Sequence, residues 1–178
     1  MKEKLLESKI KFSGNIMDVS VDRIILPDGS ESRREIVHHP GGMTVIPHLH
    51  SGKIVMIEQY RHAAGEVLLE LPAGRAEPGE ELKKGAAREL KEETGYNAGK
   101  ITHIIDFYTT PGYSTECLGL FLAEDLHRGK QELEKGEFLR IREIDTEEIL
   151  ELIFKGKIRD GKSALGLLTF KMLQQERG

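Results

Sequence analysis

GRAEPGEELKKGAARELKEETG, residues 74–95, is the stretch on which the reading of this chain turns. Its first six residues hold Gly74, Pro78 and Gly79, a composition that ends a strand and lets backbone approach a ligand closely. Helical composition takes over from about Glu81 and runs to Thr94, with Gly95 as the stop signal. Within that helix Glu89, Glu92 and Glu93 stand at offsets of three and four, so they share one face. Ala86, Leu90 and Thr94 fall on a neighbouring, less polar face suited to packing on a sheet, while Lys84 and Lys91 point toward water. Like charges this close repel by a few tenths of a kcal/mol per pair, so the cluster weakens the helix unless a cation sits among them. Magnesium, with manganese as the alternative, suits the place: it takes carboxylate oxygens, keeps several waters, and is completed by substrate phosphates. Arg88 lies one turn from Glu92 and is placed to hold that carboxylate. A solvated face paired with Arg88 and Lys91 is the plain alternative. The glycine-rich turn feeding the acidic face favours a metal and phosphate site.

Outward from this segment the pattern alternates strands and turns. Ile16 to Ile25 and Glu31 to Val37, joined by the turn signal Pro27-Asp28-Gly29-Ser30, predict an N-terminal β-hairpin. Met43 to Ile46, Lys53 to Glu58 and Val67 to Leu71 read as strands ahead of the helix, the first two separated by Ser51-Gly52. Beyond it, Ile101 to Tyr108, Cys117 to Ala123 and Phe138 to Ile141 read as strands, and Thr146 to Lys155 and Ser163 to Gln175 have helical periodicity. The fold class is therefore α/β (α+β), with a β extension over residues 1–42 and the main domain over residues 43–178.

The bulk properties narrow the function. A chain of 178 residues with 38% hydrophobic content can fill one core. Its net charge of −4 and pI near 6.0 provide no basic field for nucleic acid, which leaves small ligands as the expected partners. Cys117 stands alone, so no internal disulfide framework exists and a reducing, cytoplasmic setting is expected. Met1 to Lys11 lacks the apolar stretch of a signal peptide, and no apolar run reaches membrane-spanning length.

Gly74, five residues, Glu80, seven residues, Arg88-Glu89-Leu90, one residue, Glu92-Glu93, one residue and Gly95 together resemble the Nudix box. Tyr96 stands where that pattern has an aliphatic residue, a packing position. The resemblance implies the Nudix fold, a mixed β-sheet sandwiched between helices. It also implies that Glu89 and Glu93 ligate magnesium, that the Ala73 carbonyl is a further ligand, and that Glu92 binds directly or through water. Two or more ions would be held per site, with Glu80 and Arg88 in support. Such ions polarise phosphoryl oxygens, lower the pKa of a bound water and stabilise the leaving phosphate.

Substrate choice lies outside the box. Pro111, sixteen residues after Gly95, and the surrounding Thr109-Thr110-Pro111-Gly112-Tyr113-Ser114 resemble the marker and substrate loop of the ADP-ribose pyrophosphatase subgroup, although Pro-Gly alone also suits an ordinary turn. The resemblance implies hydrolysis of a small nucleoside diphosphate sugar, ADP-ribose, to AMP and ribose 5-phosphate by an intertwined homodimer. Gln59-Tyr60-Arg61 resembles the place of a phosphate-contacting arginine. Arg33 and Arg34 on the hairpin are candidates to reach adenine or phosphate across the dimer. Subgroup members place a water-activating glutamate on a loop after the Cys117 to Ala123 strand. Here residues 128–137 offer Glu137 and Glu134 ahead of Glu132, closest to the strand at Phe138, with solvated loop charge as the alternative for each. His48 and His50 lack cysteine partners and read as structural, and Glu31, Lys130 and Lys135 as surface. The competing functions are another Nudix substrate, such as GDP-mannose, NADH or FAD, and a non-catalytic module that senses ADP-ribose.

Overall fold

A computed structural model describes residues 1–177. The chain forms two compact units, one of residues 1–41 with 108–118 and one of residues 42–107 with the chain from 119 onward.

The first unit is a three-stranded antiparallel sheet of β1 (Lys4–Ser13), β2 (Asp18–Ile25) and β3 (Glu31–His38), with β2 in the middle. The turn between β2 and β3 is closed by the Leu26 amide on the Ser30 carbonyl at 2.8 Å, and Asp28 accepts from the Ser30 amide at 2.9 Å. Gly29 sits there at φ +89°, a conformation that favours glycine. The sequence pattern showed this hairpin but not β1, whose lysines and glutamate gave it the look of a charged tail. The segment 108–118 joins the same unit through Val37, whose amide donates to Tyr113 O at 2.7 Å and whose carbonyl accepts from the Thr115 amide at 2.9 Å.

The second unit holds two sheets. β7 (Ala73–Arg75), β4 (Gly42–Pro47), β9 (Cys117–Arg128) and β8 (Tyr96–Tyr108) make one in that order. β10 (Leu139–Asp145), β5 (Lys53–Arg61) and β6 (Glu66–Glu70) make the other. Adjacent residues of one strand bury in different clusters. Leu120 and Leu122 of β9, Ile54 and Met56 of β5 and Ile46 of β4 pack with Ile149, Leu167 and Phe170. Phe121 and Ala123, Val55, and Met43 and Val45 pack instead with Ala86 and Leu90. These strands are thus covered on both faces, which is why they read as continuous apolar runs. The covering helices are α1 (Leu82–Thr94) on one side and α2 (Ile149–Phe154) with α3 (Gly161–Arg177) on the other. This is the layered arrangement the box pattern implied.

α1 carries the acidic face, and its ends fix where that face lies. Gly95 caps it at φ +72°, its amide bonded to Lys91 O at 2.8 Å. A side chain at Gly95 would also come within 2.8 Å of the Gln131 backbone, so closeness and conformation both demand glycine. Tyr96, the departure from the aliphatic pattern, is buried and donates its hydroxyl to Glu143 at 3.2 Å. The extra ring therefore packs like its aliphatic counterpart and still satisfies its polar end. Phe138, expected at a strand start, lies just before β10 and is exposed. Among the described residues no helix is long and apolar enough to cross a membrane.

Candidate active site

The site is assembled where β7 passes the last two turns of α1. Glu93 is 3% exposed and its Oε2 accepts the Ala73 amide at 3.0 Å. Burial, then the charge of Glu89 and more weakly that of Glu137, push its pKa up to about 8 from an ordinary 4.5, against the opposing pull of the Ala73 amide and Arg61. Glu89 is also raised, first by burial and further by Glu92 and Glu137, while Arg88 pulls it down. Glu89 reaches the backbone of β7 because residue 74 is glycine: a Cβ there would lie 1.8 Å from Glu89 Oε1.

One guanidinium organises the rest. Arg88 donates from Nε and Nη2 to the two oxygens of Glu80, each at 3.0 Å, and from Nη2 to the Arg75 carbonyl at 3.2 Å. Its Nη1 donates to Glu89 Oε1 at 2.8 Å and Glu92 Oε2 at 2.9 Å. This fork holds Arg88 firmly charged and depresses Glu80 below the usual carboxylate range. The loop before the helix is thereby tied to two of the three box glutamates.

Among the described residues no three acidic, imidazole or thiol side chains converge as a ready-made metal cage. The donor set fits a hard divalent ion all the same. The buried carboxylate of Glu93 and the partly buried one of Glu89, both with raised pKa, lie against a turn whose backbone carbonyls add oxygen donors, and water and phosphate complete such a shell.

The candidate loop meets the same place. Its start is fastened to the end of α1, with the Glu132 amide on Glu92 O at 3.0 Å, Gln131 Nε2 on Glu93 O at 2.6 Å, and Lys91 paired to Glu132 at 3.1 Å. Glu137 and Glu134 bond to each other's backbone, the Glu137 amide to Glu134 O at 3.1 Å and the Glu134 amide to Glu137 Oε2 at 3.2 Å. Glu137 is among the charges acting on both Glu89 and Glu93.

Arg61 lies near enough to Glu93 for the two charges to act on one another, but its Nε and Nη2 are engaged by Glu70, both at 2.8 Å. Glu70 is fully buried and also takes Lys162 Nζ at 2.5 Å. Neither partner emerged from the sequence, although a glutamate inside the apolar run Val67 to Leu71 was the available signal. Pro111 and Gly112 form an exposed turn in the other unit, closed by the Tyr113 amide on Thr110 O at 3.2 Å. Arg33 is exposed on β3, and Arg34 pairs with Glu3 at 2.5 Å. His48 packs its ring edge-on against Phe170 at 5.0 Å, while the exposed His50 faces Asp125 at 3.5 Å.

Residues 38–164 match the family described as the NUDIX domain, and the chain belongs to that family: it is a Nudix pyrophosphohydrolase. Members of the family work with divalent metal ions. An ADP-ribose pyrophosphatase of Bacillus subtilis (strain 168) is 41% identical over 169 residues, covering 94% of this chain and 91% of its own. A methanol dehydrogenase activator of Bacillus methanolicus is 38% identical over 167 residues, 93% of this chain and 90% of its own. A solved structure of an ADP compounds hydrolase superposes with a TM-score of 0.90 at 19% identity, covering 100% of this chain and 97% of that one, a likeness of fold.

The raised pKa of Glu93 makes a testable difference to stability. Without metal, the folded state keeps a proton on Glu93 up to about pH 8, whereas the unfolded chain releases it near 4.5. The stabilisation is complete below the lower value and is lost as pH rises through the upper one. Urea denaturation of metal-free protein from about pH 5 to about pH 9 should show a declining stability that flattens in Glu93→Gln. An unchanged slope in the mutant contradicts the assignment. Stabilisation by added divalent ion should grow over the same window, since the ligand must be deprotonated.

Proposed function

We propose that this chain hydrolyses the pyrophosphate bond of ADP-ribose to AMP and ribose 5-phosphate with magnesium. The observation that carries the reading is the pair of buried Glu93 and partly buried Glu89 against the Gly74 turn, in a chain 41% identical over most of its length to an ADP-ribose pyrophosphatase. Glu89, Glu93 and the Ala73 carbonyl would hold magnesium, or manganese in its place, with Glu92 contributing directly or through water and two or more ions per site. A bound divalent ion supplies polarisation of the phosphoryl oxygens and a more acidic water.

The remaining chemistry belongs to the chain. Arg88 fixes the direction of Glu89 and Glu92, so the charge is organised before substrate arrives. Glu137, whose charge acts on both Glu89 and Glu93, accepts the proton of the attacking water, with Glu134 bonded to it as the neighbour that shapes the loop end. Glu132 is engaged with Lys91 and is the weakest of the three candidates. Arg61 binds the diphosphate through its guanidinium. The Pro111-Gly112 turn resembles the subgroup's substrate loop, and Arg33 and Arg34 are candidates to contact substrate from the hairpin of a second copy.

A homodimer fits the first unit. Leu5, Ile10, Phe12 and Ile16 are each more than half exposed, an apolar surface of the kind a partner subunit covers. A cytoplasmic setting fits the single Cys117.

Three measurements test these assignments. In a panel of ADP-ribose, GDP-mannose, NADH and FAD, kcat/KM should be highest for ADP-ribose, with AMP and ribose 5-phosphate as products. Another compound winning by about tenfold, about 1.4 kcal/mol in transition-state binding, overturns the substrate. Glu137→Gln should lower kcat by roughly 10²-fold with a modest change in KM, and Glu132→Gln should stay near wild type. Equal loss in the two mutants refutes the assignment of Glu137. Light scattering should report a dimer at micromolar concentration, and paired polar substitutions at Ile10 and Phe12 should shift it to monomer; a wild-type monomer rejects the dimer.

A further inference from the structure

Two cations converge on one buried carboxylate beside the site. Glu70 is 1% exposed; Arg61 forks onto it, and Lys162 donates to its Oε2 at 2.5 Å. Lys162 also reaches Asp160 at 2.8 Å, but Asp160 has partners of its own at the start of α3. Its Oδ2 takes the Ser163 amide at 3.0 Å and the Ser163 hydroxyl at 2.5 Å, an N-cap whose charge is met by the positive end of the helix. Ser163 in turn accepts the Leu71 amide at 2.7 Å, fastening the end of β6 to α3. The two cations differ in freedom: the Lys162 side chain is 13% exposed and enclosed, the Arg61 side chain 40% exposed.

One carboxylate needs one counter-charge. With Lys162 in place, Glu70 stays paired when the guanidinium of Arg61 leaves it. Without Lys162, the same movement strands a buried, unpaired carboxylate, which is strongly disfavoured. We propose that Lys162 is a positioning residue of the pyrophosphatase site, which neutralises Glu70 and so releases Arg61 from Glu70 to the diphosphate. The proposal rests on the reading that Arg61 contacts the diphosphate. It does not depend on which sugar the substrate carries.

The test is a set of steady-state cycles on whichever diphosphate substrate the wild-type enzyme cuts best, so that an error in the ADP-ribose assignment leaves it standing. Arg61→Met comes first: KM unchanged removes the phosphate contact on which the inference rests. Lys162→Met should then raise KM about tenfold or more, the size of a lost charge-assisted contact, with kcat within about threefold. Lys162→Arg, which keeps the charge, should restore KM. In the Arg61→Met background Lys162→Met should add nothing further, since its effect passes through Arg61. In the Glu70→Gln background it should also be silent, because no buried charge is left to strand. That pair also covers the case in which Lys162→Met alone does not fold, since Glu70→Gln with Lys162→Met removes the unpaired charge. KM unchanged in Lys162→Met, no restoration by Lys162→Arg, or full additivity in either background overturns the proposal.

Discussion

The arrangement depends on a repulsion that the fold enforces. Glu89 and Glu93 are one helical turn apart, Glu93 buried and Glu89 partly so; Glu89 makes ionisation of Glu93 harder, and Glu92 and Glu137 do the same to Glu89. Folding alone would not collect them, since like charges at this spacing weaken a helix. Everything around them reads as the means of holding that unfavourable pair: Arg88 across three carboxylates, the Ala73 amide on Glu93, and a glycine at 74 that leaves room for Glu89. The packing of Ala86 and Leu90 into the sheet anchors the helix independently of its charged face. The repulsion is then stored as readiness for a cation.

The same economy appears at Glu70. Interior charge survives only with partners, and Glu70 at the end of β6 draws its two from separate places in the chain, Arg61 at the end of β5 and Lys162 at the start of α3. The end of β6 is held to the α3 cap through Ser163, so the sheet edge next to the Ala73-Gly74 turn and the C-terminal helix form one structural unit. Distance in sequence is what made this cluster invisible. Glu70 and Lys162 are 92 residues apart, and no local period links them.

How much could be read in advance follows from that contrast. The helix, its stop at Gly95, the acidic face and the role of Arg88 all depend on neighbours within a few residues, and each was legible from spacing. The strands buried on both faces were legible as apolar runs, though β8 and β9 extend further than their apolar cores because paired backbone continues into polar residues. β1 was not legible, since its alternation of charged and apolar residues has no buried face to give it direction. Arg61 was singled out in the sequence as a candidate phosphate contact, but its engagement with Glu70 was not foreseen. Of the three loop glutamates, the sequence put Glu137 and Glu134 ahead of Glu132 but did not choose between the first two. The structure gives them different surroundings: Lys91 pairs with Glu132, while Glu137 is among the charges acting on Glu89 and Glu93.

The fastening of residues 129–132 to the end of α1 has a bearing on how this architecture diversifies. The Gly129 amide on Gly95 O at 2.6 Å, with the ties at Gln131 and Glu132, makes the first part of the loop an extension of the helix terminus. An insertion before Gln131 would unstitch the carbonyls behind Glu92 and Glu93 and disturb the acidic pocket itself. An insertion between Leu133 and Gly136 would leave those ties in place and reshape the turn at residues 134–137, changing how far Glu137 is carried from the acidic face. Variation in loop length is therefore tolerable at one end and costly at the other, so relatives can retune the reach of the loop while inheriting the pocket unaltered.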